Sequence, residues 1–110
     1  MKERCIANEC LEATGFSYTL SLINGKYKMT ILYTLMEFGV VRFHEMIKYI
    51  SEISYKTLSS TLKELEADHL VHRKEYPQIP PKVEYSLTER GKSLIPILDG
   101  MCEWGSKNRL

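Results

Sequence analysis

Long apolar runs are missing from this sequence. No stretch approaches the roughly 20 residues needed to cross a bilayer, and the opening Met1-Lys2-Glu3-Arg4-Cys5 lacks the apolar segment of a secretory signal. A cytoplasmic protein is expected. Cysteine is scarce and odd in number: three in 110 residues, with Cys5 and Cys10 far from Cys102. That excludes a disulfide framework and suits a reducing compartment, where any disulfide would act as a switch. An excess of one charge is also absent, because 15 basic and 14 acidic residues leave a formal net charge of +1. Any nucleic-acid surface must therefore be a local patch. Nor is there a phosphate loop, a nucleophile motif or a carboxylate pair in a context that suggests acid/base chemistry. His44, His69 and His72 have no zinc-finger spacing with the cysteines, so neither an enzyme, a metal site nor a cofactor is expected.

What is present is enough apolar material, 44% of residues, for one core and one domain over residues 1–110. Residues 1–16 read as an arm with a short helix around Asn8 to Ala13. From Ser17 the spacing of Tyr18, Leu20, Leu22 and Ile23 predicts a helix capped by that serine and stopped near Asn24-Gly25. The next helix, about Tyr27 to Glu37, is apolar nearly all round, as befits the buried centre of a small domain. Gly39 ends it, and Val40-Val41-Arg42 is a short β-prone piece.

Phe43, Met46, Ile47 and Ile50 then recur at helical spacing, and only Ser51, Glu52 and Ile53 separate this helix from one beginning at Ser54. The second helix, Ser54 to Asp68, is amphipathic. Leu58, Leu62 and Leu65 form one stripe, while Lys56, Ser60 and Lys63 lie opposite with Thr57 and Ser59 flanking them. Alone, such a face would more often be merely solvated. Two helices over residues 43–68 joined by so short a turn, however, form the helix-turn-helix pattern. Ser54 can cap the second helix, though Thr57 in place of Glu or Gln leaves the reciprocal capping box incomplete.

Residues 70–88 predict a hairpin: Leu70 to Tyr76 pairs with Val83 to Leu87, where Val83, Tyr85 and Leu87 share a face. Between them Pro77, Pro80 and Pro81 forbid ladder bonds and stiffen the tip, which makes this the wing of a winged helix. The last helix, residues 88–108, carries Leu94, Ile95, Ile97, Leu98, Met101, Cys102 and Trp104, with Pro96 predicting a bend. Its apolar arc exceeds what one small core needs. A second subunit is the expected partner, with Leu94, Ile97, Leu98, Met101 and Trp104 in a twofold homodimer interface and Cys102 in packing.

The order of elements and four strings together resemble the HxlR family of bacterial winged helix-turn-helix transcriptional regulators. The strings are Asn24-Gly25-Lys26-Tyr27-Lys28, Arg42-Phe43-His44-Glu45-Met46, Leu62 to Asp68, and Pro80-Pro81-Lys82-Val83-Glu84-Tyr85-Ser86-Leu87-Thr88. The resemblance runs from about Ser17 to Gly105. It implies a mostly helical α+β fold, a winged helix-turn-helix with a β-hairpin wing and flanking N- and C-terminal dimerisation helices. It also implies a dimeric DNA-binding regulator, often a repressor, and in several members one responding to electrophiles or oxidants through a cysteine. Tyr27 stands where the family usually has tryptophan, and His69 where it commonly has glycine at a helix end with left-handed backbone.

In that fold Tyr55, Lys56 and Thr57 at the start of the helix capped by Ser54 can reach base edges, with Ser59, Ser60 and Lys63 on bases or phosphate. Arg42 and the wing residues Arg73, Lys74 and Lys82 would complete the contact to double-stranded DNA. A pseudo-palindromic operator is expected, bound by the homodimer with half-sites about one helical turn apart. Two cysteines compete as sensor of an oxidant or small-molecule effector. Local charge from Lys2 and Arg4 favours Cys5, whereas family position favours Cys10. The alternative function is a winged-helix module for protein contacts that does not read DNA.

Overall fold

The structure, a computed structural model, describes residues 10–110, so Cys5 and the predicted arm before Cys10 lie outside the described residues. A 3-10 turn, Leu11–Ala13, leads into α1 (Gly15–Ile23), which starts two residues before the predicted cap. Thr14 rather than Ser17 is that cap: its hydroxyl accepts the Ser17 N–H at 3.1 Å and donates to the Leu11 carbonyl at 2.8 Å. Then follow α2 (Lys28–Phe38), β1 (Val41–Arg42), α3 (Phe43–Tyr49) and α4 (Tyr55–Ala67). The wing strands are β2 (Val71–Tyr76) and β3 (Lys82–Leu87), and the chain closes with α5 (Glu89–Lys92) and α6 (Ile95–Asn108).

The three strands form an antiparallel sheet in the order β1-β3-β2, with Val41 opposite Tyr85 and Tyr85 opposite Arg73. Leu58, Leu62 and Leu65 of α4 bury their stripe against Ile31, Leu32 and Leu35 of α2, with Met46 of α3 and Tyr85 and Leu87 of β3 in the same core. Burying each such aliphatic side chain stabilises by about 1.5–3 kcal/mol. The core is therefore what fixes the outward face of α4. The expectation that α2 is buried nearly all round is only half met, since Tyr33 and Phe38 are exposed.

One junction sets the reading elements relative to each other. His69, at the end of α4, has a φ of 61°, the left-handed backbone expected there. Its carbonyl accepts the Thr88 hydroxyl at 2.6 Å, and the Asp68 carbonyl accepts the Arg90 guanidinium at 3.1 Å. Gly91 sits against the same turn so closely that a Cβ would stand 2.1 Å from the Leu70 carbonyl oxygen. The predicted single last helix is broken, not merely bent. Pro96 lies in the first turn of α6, where its missing N–H costs nothing, and Ser93-Leu94 separate the two pieces.

Candidate nucleic-acid interface

The turn between α3 and α4 holds Glu52 at a φ of 73°, an unusual backbone for a residue with a side chain. The Tyr27 hydroxyl donates to the Glu52 carbonyl at 3.4 Å, a long bond that nonetheless gives the family-atypical tyrosine a partner. Ser54 caps α4, accepting the Thr57 N–H at 3.1 Å and donating to the Thr57 hydroxyl at 3.0 Å. The pair thus replaces a reciprocal capping box by a hydroxyl link. Both predicted contact residues are already engaged with each other, at the very start of the helix.

On α4, Lys56, Ser60 and Lys63 are exposed, as the leucine stripe requires. Ser60 and Thr61 hydroxyls both donate to the Thr57 carbonyl, at 3.1 and 2.7 Å, so neither is wholly free. Tyr55 projects into solvent and stacks on Phe43 of α3, with ring centroids 5.8 Å apart and an interplanar angle of 20°; His44 stands edge-on to it at 6.1 Å. Phe43 and His44 are the part of this surface that sequence reasoning missed. They are twelve and eleven residues from Tyr55, a spacing that carries no periodic signal, and only the tertiary turn brings them together.

The wing's cations are organised by Tyr76. Lys74 and Lys82 lie over its ring at 5.0 and 4.5 Å, and Lys82 also pairs with Glu84 at 3.4 Å. The Tyr76 hydroxyl donates to Glu84 at 2.8 Å, which, followed by the nearby Lys82 ammonium, holds the Glu84 carboxyl below its ordinary range. Arg73 donates to Glu75 at 3.1 Å, and the adjacent Tyr85 hydroxyl, before Glu75, raises the guanidinium above its ordinary pKa. Tyr76, Glu84 and Tyr85 were legible only as strand residues, because their roles depend on the cross-strand register. Arg42 is exposed, and its N–H donates to Glu45 at 2.8 Å at the start of α3. With the α4 face and the wing, these residues make two projecting cationic elements on a chain that is nearly neutral.

The predicted dimer residues separate into two sets. Leu98 is sunk in the chain's own core and Leu94 packs against it, so neither offers an open face. Ile97, Met101 and Trp104 are exposed, Trp104 to 69%, along one side of α6. The assignment of Cys102 to packing is corrected: the thiol is exposed, because this part of α6 runs past the core. It borders an apolar cleft of about 300 Å³ lined by Met29, Thr30, Tyr33, Leu98 and Met101. Its hydrogen bond to Tyr33 pushes that phenol up to about 12. Cys10 is exposed immediately before the 3-10 turn.

A family model described as HxlR-like helix-turn-helix matches residues 22–109. An uncharacterized HTH-type transcriptional regulator of Halalkalibacterium halodurans is 62% identical over 99 residues, covering 90% of this chain and 88% of that protein. Among solved structures, the redox regulator HypR in its reduced form aligns with a TM-score of 0.83 and 46% identity, over 87% of this chain and 94% of that one. The reduced form of the transcriptional regulator YodB from Bacillus subtilis aligns with a TM-score of 0.72 and 34% identity, over 86% and 93%.

Proposed function

We propose, from the premise that this chain belongs to the HxlR-like helix-turn-helix family of transcriptional regulators, that it binds a pseudo-palindromic operator as a homodimer and represses from it. The observation that carries this reading is the α4 face. Lys56, Ser60 and Lys63 stand exposed opposite a fully buried leucine stripe, with a cation-bearing wing beside them. In this reading Tyr55, Lys56 and Thr57 enter the major groove, and Ser54 orients them as the cap. Ser59, Ser60 and Lys63 contact bases or phosphate, while Arg42, Arg73, Lys74 and Lys82 contact the backbone.

The homodimer is supported by apolar surface that the described chain leaves uncovered. Ile97, Met101 and Trp104 on α6, and Phe16 and Leu20 on α1, are large side chains left exposed on these two helices. A dimer spanning a promoter excludes other proteins from it, which is repression by occupancy. Cys10, with Cys5, is the proposed sensor of electrophiles or oxidants, supported by its exposed thiol and the likeness to HypR.

Gel shift on the DNA upstream of the protein's own or adjacent gene tests the reading. Salt-sensitive, sequence-selective binding is expected, and Lys56→Ala with Lys63→Ala should flatten the salt slope by up to about 3.6, since the dimer loses four cations, while leaving a folded protein. A double variant that binds as the parent does would instead favour a module that only contacts proteins. For the sensor, diamide should release the parent from DNA. An unchanged response after Cys5→Ser with Cys10→Ser would refute it.

A further inference from the structure

Between α4 and the wing lies a polar cleft of about 270 Å³, lined by Ser59, Lys63, Glu66, Arg73 and Tyr85. Ser59, Lys63 and Glu66 follow one another at helical spacing along the side of α4 that faces the sheet, and Arg73 and Tyr85 are directly paired across β2 and β3. We propose that this cleft is a seat for a single phosphodiester group, the one that joins the groove occupied by α4 to the groove reached by the wing. This deepens the reading of the chain as a DNA-binding protein and rests on it.

The donors of the cleft are only partly spent. Lys63 forms no salt bridge among the described residues, in contrast to Lys28, Lys82, Lys92 and Lys107. Arg73 is engaged by Glu75 and by the Tyr85 hydroxyl, and a guanidinium's five N–H donors leave others free. The Ser59 hydroxyl has no partner among the described residues, although the neighbouring Ser60 and Thr61 both turn theirs back to the helix. Tyr85 is buried, so its ring is fixed by the core, and its hydroxyl, already beside the Arg73 guanidinium, belongs to a residue of the cleft lining.

The charge of the lining sets the kind of anion. Lys63 and Arg73 oppose Glu66, and Glu75 draws on Arg73 from outside. The lining alone, Lys63 and Arg73 against Glu66, carries one net positive charge, which a monoanionic diester matches, whereas a dianion would leave excess negative charge beside Glu66. Tyr85 and Ser59 add neutral donors that fix where the group sits, and a charge-assisted hydrogen bond rewards that placement more than a neutral one would. Tyr85 and Glu66 thereby become determinants of DNA affinity, acting on every sequence alike because a phosphate carries no base identity.

Fluorescence anisotropy of the full chain on its operator and on a random duplex, over a range of salt, tests this. Arg73→Gln should lower the salt slope by about 1.8 on both duplexes, since the dimer loses two cations. Tyr85→Phe should weaken both roughly tenfold with the slope unchanged, since the lost group is neutral. Glu66→Gln should strengthen both severalfold, a gain that no merely structural role would give. If Tyr85→Phe and Glu66→Gln bind like the parent while Lys56→Ala with Lys63→Ala weakens binding, the seat is overturned and the DNA reading stands. Should Tyr85→Phe fail to fold, the exposed Arg73→Gln and Glu66→Gln decide alone. If the parent binds no duplex, amide shifts of Ser59, Lys63 and Arg73 are followed on titration with dimethyl phosphate, a monoanionic diester, against chloride. Localised shifts would keep an anion site filled by a free oxyanion, and their absence would overturn the seat.

Discussion

Replacing Gly91 by alanine should be among the most damaging single-methyl additions to this chain. The added Cβ would stand 2.1 Å from the Leu70 carbonyl oxygen and 3.1 Å from its carbon, and those atoms are backbone that no rotamer change can move. To reach the 3.0 Å below which real Cβ contacts essentially never fall, α5 must retreat by roughly 1 Å. That motion pulls on three bonds at one turn: Thr88 N–H to the Leu70 carbonyl at 3.1 Å, the Thr88 hydroxyl to His69 at 2.6 Å and Arg90 to Asp68 at 3.1 Å. Overpacking alone costs about 1–3 kcal/mol and each weakened bond up to about 1 kcal/mol, so a loss of roughly 3 kcal/mol is expected. At about 4 °C per kcal/mol for a domain of this size, Tm should fall by about 12 °C. Circular dichroism melts at one fixed protomer concentration measure it, since an oligomer's Tm depends on concentration. Gly100→Ala is the control: nothing lies within 4 Å of its Cβ, so a helix interior should gain up to about 1 kcal/mol. A Gly91→Ala melt equal to the Gly100→Ala melt would refute the packing argument.

Three further perturbations follow from particular contacts. Ser54→Ala removes the acceptor of the Thr57 N–H and should cost about 1 kcal/mol in urea unfolding, whereas Ser54→Asp should keep most of it. Glu84 has its folded pKa lowered, chiefly by the Tyr76 hydroxyl, so its contribution is present above its unfolded pKa and lost as pH falls through the folded one. Tm of Glu84→Gln should accordingly lack part of the parent's decline on the acid side of the carboxylate range, and superimposable acid limbs would contradict this. Trp104→Glu, placed in the exposed stripe of α6, should convert a homodimer to monomer in sedimentation equilibrium without lowering helix content.

The parts of the fold that could be read from sequence are those where one periodicity dominates. The leucine stripe of α4 and the alternation of Val83, Tyr85 and Leu87 fixed their elements because burial on one face leaves no other register. Thr14 escaped because two hydroxyl residues compete for one cap and the favourable one precedes a glycine. Glu52 in left-handed backbone escaped because nothing in a glutamate signals it; the tertiary turn imposes the conformation. Periodicity marked Leu98 and Ile97 alike as apolar, and only the packed structure distinguishes the one facing its own core from the one facing outward. In the candidate site, charge on α4 was legible from helical geometry. The pairing of Arg73 with Tyr85, the Tyr76 platform under two lysines and the Phe43–Tyr55 stack join separate elements, and no local pattern carries them.

The central claim, that the exposed face of α4 reads DNA as part of a twofold dimer, is tested most directly by selecting duplexes that the purified protein retains from a random library. The account predicts an inverted repeat whose half-site centres lie about 10 base pairs, or a multiple of that, apart. The Lys56→Ala and Lys63→Ala protein should recover no such enrichment. A parent protein that enriches no sequence above the random background at low salt would contradict it.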